Sequence, residues 1–122
     1  NLLQNAQDAL GDTASPRIRL TTRAAGAVGA VRGAMIEVTV TDNGAGFPEH
    51  LIKRAFEPYV TTKPKGTGLG LVIVKKIIEE HGGTVEIGNI ETDGRIKGAR
   101  VTMRLPAILK QHAEPAEHVR AA

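Results

Sequence analysis

Two asparagines four residues apart, Asn1 and Asn5, precede two glycine-rich clusters, Asp42-Asn43-Gly44-Ala45-Gly46 and Gly66-Thr67-Gly68-Leu69-Gly70-Leu71, that lie about twenty residues from each other. Side-chain amide oxygens are hard ligands of the kind Mg²⁺ accepts while it keeps waters and bridges phosphate oxygens. Asn1 and Asn5 stand one helical turn apart on one face, so both can address the same ion or its bound water. Taken alone, the pair reads as a polar helix face. Glycine mostly serves turns, but a glycine-rich loop that opens a helix brings backbone N–H groups and the positive helix end to a phosphate chain. Gly66, Gly68 and Gly70 lead into the strongest helical pattern of the chain, and Lys63 adds a mobile positive charge just before them. Together the three segments read as an ATP site.

The elements that must position them follow from periodicity. Leu2, Leu3, Ala6 and Ala9 or Leu10 repeat at helical spacing up to Gly11, a C-terminal stop. That helix has no preceding cap, so the expectation is a domain cut at its N-terminus. Ile18, Leu20 and Thr22 alternate with Arg17, Arg19, Thr21 and Arg23, and Ile36, Val38 and Val40 alternate with Glu37, Thr39 and Thr41, which predicts an antiparallel pair of strands. The second strand runs into Asp42. A short helix is expected from Glu49 to Ala55 after Pro48. From Gly68 to His81, Ile73, Val74, Ile77 and Ile78 oppose Lys75, Lys76, Glu79 and Glu80, an amphipathic helix ended by Gly82-Gly83. Strands near Thr84–Asn89 and Ala99–Leu105 enclose a turn with Asp93-Gly94, their Val85, Ile87, Val101, Met103 and Leu105 facing inward. The fold class expected is α+β: helices on one face of a mainly antiparallel sheet over residues 1–106, with 107–122 a weakly helical or disordered tail.

Composition excludes several functions. At 122 residues the chain is one domain, with ordinary hydrophobic (41%) and charged (24%) fractions. Without cysteine there is no disulfide, thiol catalysis or Cys-ligated zinc, which fits a reducing compartment and makes the cytoplasm the default. Phe47, Phe56 and Tyr59 are the only aromatic residues, too few for a base-stacking platform. The formal charge of +3 is spread over several elements with acids between them, so nucleic acid is not the expected partner. A Rossmann fingerprint fails although Glu86 lies about twenty residues beyond Gly66, because Lys63-Pro64-Lys65 stands where an apolar strand should be.

With these motifs in order, the chain resembles the catalytic, ATP-binding domain of two-component sensor histidine kinases, most closely the nitrogen-regulation class. Asn1 to Ala9 resembles the N box, Asp42 to Gly46 the G1 box, Phe56-Glu57-Pro58-Tyr59 with Thr61-Thr62-Lys63 the F box and lid, and Gly66 to Leu71 the G2 box. The resemblance implies the Bergerat two-layer α/β sandwich, shared with gyrase, MutL and a class of heat-shock chaperones. It implies Mg²⁺ on Asn5 and ATP held by Asn5, Asp42, Gly44, Gly46, Lys63, Gly66, Thr67, Gly68, Leu69, Gly70 and Leu71. Asp42 is similar to the family carboxylate that accepts a hydrogen bond from the adenine amino group; its plainer role would be a turn-forming Asp before Asn-Gly. Asn1 and Lys63 are the residues given catalytic duty. ATP-hydrolysing relatives carry a water-activating Glu at the position of Asn1, and an amide cannot act as a general base, which favours phosphotransfer over hydrolysis.

The segment Glu57 to Thr67 reads as a short ATP lid. None of His50, His81, His112 and His118 has the flanking pattern of the family phosphoacceptor, so the implied partners are a separate histidine-bearing dimerisation domain and a response regulator, in a homodimeric parent that an inner-membrane anchor would suit. One departure is Ala99, where the family often has Thr making a water-bridged adenine contact. The alternatives are an ATPase of the gyrase and MutL type, an anti-sigma-type serine kinase, and a non-catalytic nucleotide-binding or interaction module.

Overall fold

A computed structural model describes residues 1–25, 34–59 and 70–107. Its elements are α1 (Leu2–Leu10), β1 (Ile18–Ala25), β2 (Met35–Asp42), α2 (Glu49–Ile52), α3 (Gly70–Glu80), β3 (Thr84–Thr92) and β4 (Arg95–Pro106). The four strands form one antiparallel sheet in the order β1-β2-β4-β3. Helices α1 and α3 touch each other and lie on the sheet, α1 over β2 and α3 over β3. The expected α+β class and helix-on-sheet layering hold.

Strand period 2 sorts the sheet into two chemically distinct faces. Toward the helices, the cross-strand registers align Val38, Met103 and Val85 in one row and Val40, Val101 and Ile87 in the next. Ala6, Leu10, Val40, Ala55, Val74, Ile78, Ala99 and Val101 are the buried apolar residues. Away from the helices the rows are polar, and a chain of ion pairs crosses all four strands. Glu37 takes Arg23 at 3.0 Å and Arg104 at 3.2 Å, and Arg104 reaches Glu86 at 3.1 Å. The Arg23 hydrogen bond, aided by the charges of Arg23 and Arg104, holds the Glu37 carboxyl below its usual value of 4.5 against the opposing pull of desolvation. Glu86 in turn raises the affinity of Arg104 for its proton.

The structure departs from expectation in how much of each apolar pattern is covered. On α1 the buried pair is Ala6 and Leu10, while Leu3 is half exposed; on α3 it is Val74 and Ile78, with Ile73 and Ile77 outside. A helix wide enough to present four apolar residues has here met a sheet that takes only the i, i+4 pair. On edge strand β1, Leu20 and Ile18 face the helix side yet remain exposed. Helix α2 is shorter than expected, because after Ile52 the bonds of Arg54 to Leu51 and of Glu57 to Arg54 are three-residue turns. The hairpin is longer: Asp93 and Gly94, at φ 54° and 74°, form a two-residue turn of the I′ kind that lets both strands continue to its edge. A register shift at Ile90/Glu91 leaves Lys97 as the extra residue of β4. Helix α3 stops where Gly82 (φ 76°) turns back and Gly83 N–H donates to the Ile78 carbonyl at 2.9 Å.

Candidate functional site

Asp42 ends β2 on the helix side of the sheet, and it is the buried charged residue among those described, at 7% exposure. A carboxylate removed from water needs partners. Its Oδ1 accepts from the backbone N–H of Gly44 at 2.9 Å and, at the long limit of 3.4 Å, from that of Ala99 on β4. Both bonds land on one oxygen. Among the described residues Oδ2 receives no hydrogen bond, so the carboxylate is fixed in orientation with an acceptor to spare. The departure noted at Ala99 thus has a partial answer: that position contributes through its main chain, which no side-chain substitution removes.

The turn after Asp42 ties this carboxylate to α1. Gly44 packs so closely on the Ala9 backbone that a β-carbon there would overlap the Ala9 carbonyl. Ala9 is one turn from Asn5 on the same helix. Asn5 in turn meets the start of α3: a β-carbon on Gly70 would lie 3.8 Å from its Nδ2 and 4.0 Å from its Oδ1. Helix α1 therefore links the two glycine positions: its Ala9 backbone meets Gly44 beside Asp42, and its Asn5 meets Gly70. Asn1 caps that helix through its main chain, accepting from Asn5 N–H at 2.9 Å, and is exposed. Leu71 is half-buried in the first turn of α3. Lys63, Gly66, Thr67, Gly68 and Leu69, with most of the expected lid, lie outside the described residues, as does the tail from residue 108.

Two asparagines that sequence reasoning passed over hold the loop around Asp42. The Asn89 side chain accepts from Phe47 N–H and donates to the Phe47 carbonyl, both at 2.7 Å, so one amide imitates a strand pairing. Gly46 fits beneath it at φ 79°, where a β-carbon would come within 2.8 Å of Asn89 Oδ1 and 2.5 Å of Ile96. Asn43 does the same on the other side, accepting from Arg17 N–H at 2.7 Å and donating to the Ser15 carbonyl at 2.9 Å. The available signal for Asn89 was a polar residue following Val85 and Ile87 at the strand period, on the face that should be apolar. Lys75 lies 5.4 Å from the Phe56 ring centroid, a cation–π contact between α3 and the segment after α2. Of the histidines expected not to be phosphoacceptors, His81 has a ring nitrogen 2.7 Å from the Ile77 carbonyl and so serves the helix end.

The fit of a magnesium ion can be judged from this donor set. Among the described residues no group of three or more His, Asp or Glu is placed to hold a metal. A single amide near a glycine-opened helix suits an ion that arrives on phosphate oxygens and keeps its waters, which is the habit of Mg²⁺.

A helix-on-sheet domain with a fixed carboxylate at a strand end, a helix amide and a glycine-opened helix defines a class of nucleotide-binding module. The chain belongs to the family described as histidine kinase-, DNA gyrase B-, and HSP90-like ATPase, which it matches over residues 1–109. It is 47% identical over 96 residues to a putative NtrY-like sensor histidine kinase of Rickettsia conorii, covering 79% of this chain and 15% of that protein. With the nitrogen regulation protein NtrY of Azorhizobium caulinodans it shares 42% identity over 104 residues, covering 85% and 13%. Among solved structures, the catalytic domain of histidine kinase ThkA in a nucleotide-free form superposes with a TM-score of 0.65 at 35% identity, covering 86% of this chain and 60% of that one. The chain thus spans only 15% and 13% of the length of these two curated relatives. No helix among the described residues is long and apolar enough to cross a membrane.

Proposed function

We propose that this chain is the ATP-binding catalytic module of a sensor histidine kinase, which binds Mg-ATP and delivers the γ-phosphoryl group to a histidine on a separate dimerisation domain, from which a response regulator receives it. The observation that carries the reading is the oriented Asp42 carboxylate, whose Oδ2 has no protein donor among the described residues, followed by a Gly44 turn packed on α1, the helix that brings Asn5 to Gly70. Oriented by two main-chain N–H groups, that oxygen is suited to accept from the exocyclic amine of adenine; guanine presents a carbonyl at the same place and is disfavoured. Asn5 would hold the ion, and the chemistry Mg²⁺ supplies when bound is neutralisation of phosphate charge. The backbone N–H groups from Gly66 to Leu71, the positive end of α3 and the Lys63 ammonium would take the remaining charge.

Positioning and charge neutralisation account for most of such phosphoryl transfer, so no general base is required from this chain. Asn1, an amide beside Asn5, leaves water unactivated, which supports transfer to histidine over hydrolysis. The parent would be a homodimer working at the cytoplasmic side of a membrane. Mixing this chain with an acceptor-histidine domain and γ-labelled ATP tests the proposal. Label on histidine is the expected result. Free phosphate alone would instead identify an ATPase of the gyrase and MutL type, and neither product would leave a nucleotide-binding interaction module.

A further inference from the structure

The sheet face turned away from the helices is divided. In its inner half every arginine of the rows is paired: Arg23 and Arg104 with Glu37, and Arg104 also with Glu86. Beyond the row Thr21-Thr39-Thr102-Glu86, the next row runs Arg19-Thr41-Arg100-Gly88, with Arg17 one step further along β1 and Lys97 projecting as the extra residue of β4. Arg17, Arg19, Lys97 and Arg100 are exposed, and among the described residues none of them has an ion pair. Asp42 also borders this end, but its carboxylate bonds the main chain of Gly44 and Ala99 and pairs with none of the four cations. An open cavity of about 540 Å³ lies here, lined by Arg17, Ile18, Arg19, Thr41, Asp42, Asn43, Ile90 and Lys97.

Four like charges gathered on one end of a sheet repel one another, and among the described residues none has an ion-pair partner. We infer that this end of the outer face is a docking surface for an acidic segment of a partner protein, with glutamate or aspartate side chains over Arg17, Arg19, Lys97 and Arg100 and an apolar side chain in the cavity against Ile90. Three features select that occupant. The cations are spread over β1 and β4 and each is solvated, so a lone phosphate would meet only one or two of them weakly, whereas a chain of carboxylates meets all four. Single-stranded nucleic acid would need aromatic platforms, and no aromatic residue lines this cavity. Ile90 offers an apolar contact that a polyphosphate cannot use.

The test is a fluorescence-anisotropy titration of the full chain with a labelled acidic peptide of alternating glutamate and leucine, repeated with a thymidine decanucleotide and with inorganic phosphate as competitor. Saturable peptide binding that fades between about 0.05 and about 0.5 M salt is expected. Arg17→Glu with Arg19→Glu should weaken it roughly tenfold or more, as should Lys97→Glu with Arg100→Glu, while Arg23→Glu on the paired half should change it less than about twofold. Equal melting temperatures of the variants would exclude misfolding as the cause. No saturable binding, binding that survives both double variants, equal affinity for the decanucleotide, or displacement of the peptide by equimolar phosphate would each overturn the inference. Because Asp42 is held by main-chain N–H groups of Gly44 and Ala99 and bonds none of the four cations, ATP binding is expected to persist in every variant. The inference therefore stands or falls separately from the kinase proposal.

Discussion

Strand β2 carries two carboxylates five positions apart that meet opposite fates. Glu37 faces away from the helices and is consumed by guanidinium groups, Arg23 at 3.0 Å and Arg104 at 3.2 Å. Asp42 faces the helices and is held by main-chain N–H groups of Gly44 and Ala99, both on one oxygen. A carboxylate saturated by cations is a structural pin. One oriented by backbone dipoles alone keeps a lone acceptor and a net negative charge for something outside the chain.

The contrast can be broken in graded steps. Gly44→Ala should do most damage, because the new β-carbon meets the Ala9 carbonyl and pushes α1, with Asn5, away from Asp42; a loss of about 3 kcal/mol in chemical denaturation is expected. Asn89→Ala should cost about 2 kcal/mol, since it strips the Phe47 N–H and carbonyl of their partner, and hydrogen exchange at Phe47 should rise with it. Glu37 sharpens the comparison through pH. Its folded-state value is depressed, so its contribution is present above the unfolded value of 4.5 and disappears as pH falls through the lower folded value. Melting curves of wild type and Glu37→Gln should therefore differ most near neutrality and converge in acid. Smallest of all, Glu57→Ala removes only the exposed i, i+3 pair with Arg54 at 2.8 Å and should shift stability by no more than about 0.5 kcal/mol.

What could be read from the residues alone follows a physical line. Helix α3 was legible because Val74 and Ile78 recur at 3.6-residue period and Gly82-Gly83 stops it, and the hairpin because Asp93-Gly94 demands positive φ. The approach of Gly44 to α1 and of Asn5 to Gly70 matches the order of the motifs along the chain. Periodicity could not tell which neighbour in Ile73-Val74 or Ile77-Ile78 would be buried, since that depends on the width of the sheet beneath. Nor could it tell that Arg17, Arg19, Lys97 and Arg100 converge. Spread along the sequence they looked diluted by acids, and only the strand register and the bulge at Lys97 bring them to one end. Asn89 was hidden for a related reason: its partner, Phe47, lies 42 residues away and only tertiary pairing reveals it.

The central claim is that the spare oxygen of Asp42 reads adenine. Calorimetric titration of Mg-ATP and Mg-GTP into wild type, Asp42→Asn and Glu37→Gln tests it directly. The account predicts ATP preferred over GTP by wild type, a loss of roughly tenfold or more in ATP affinity for Asp42→Asn, and no change for Glu37→Gln. Asp42→Asn binding ATP as tightly as wild type would contradict it.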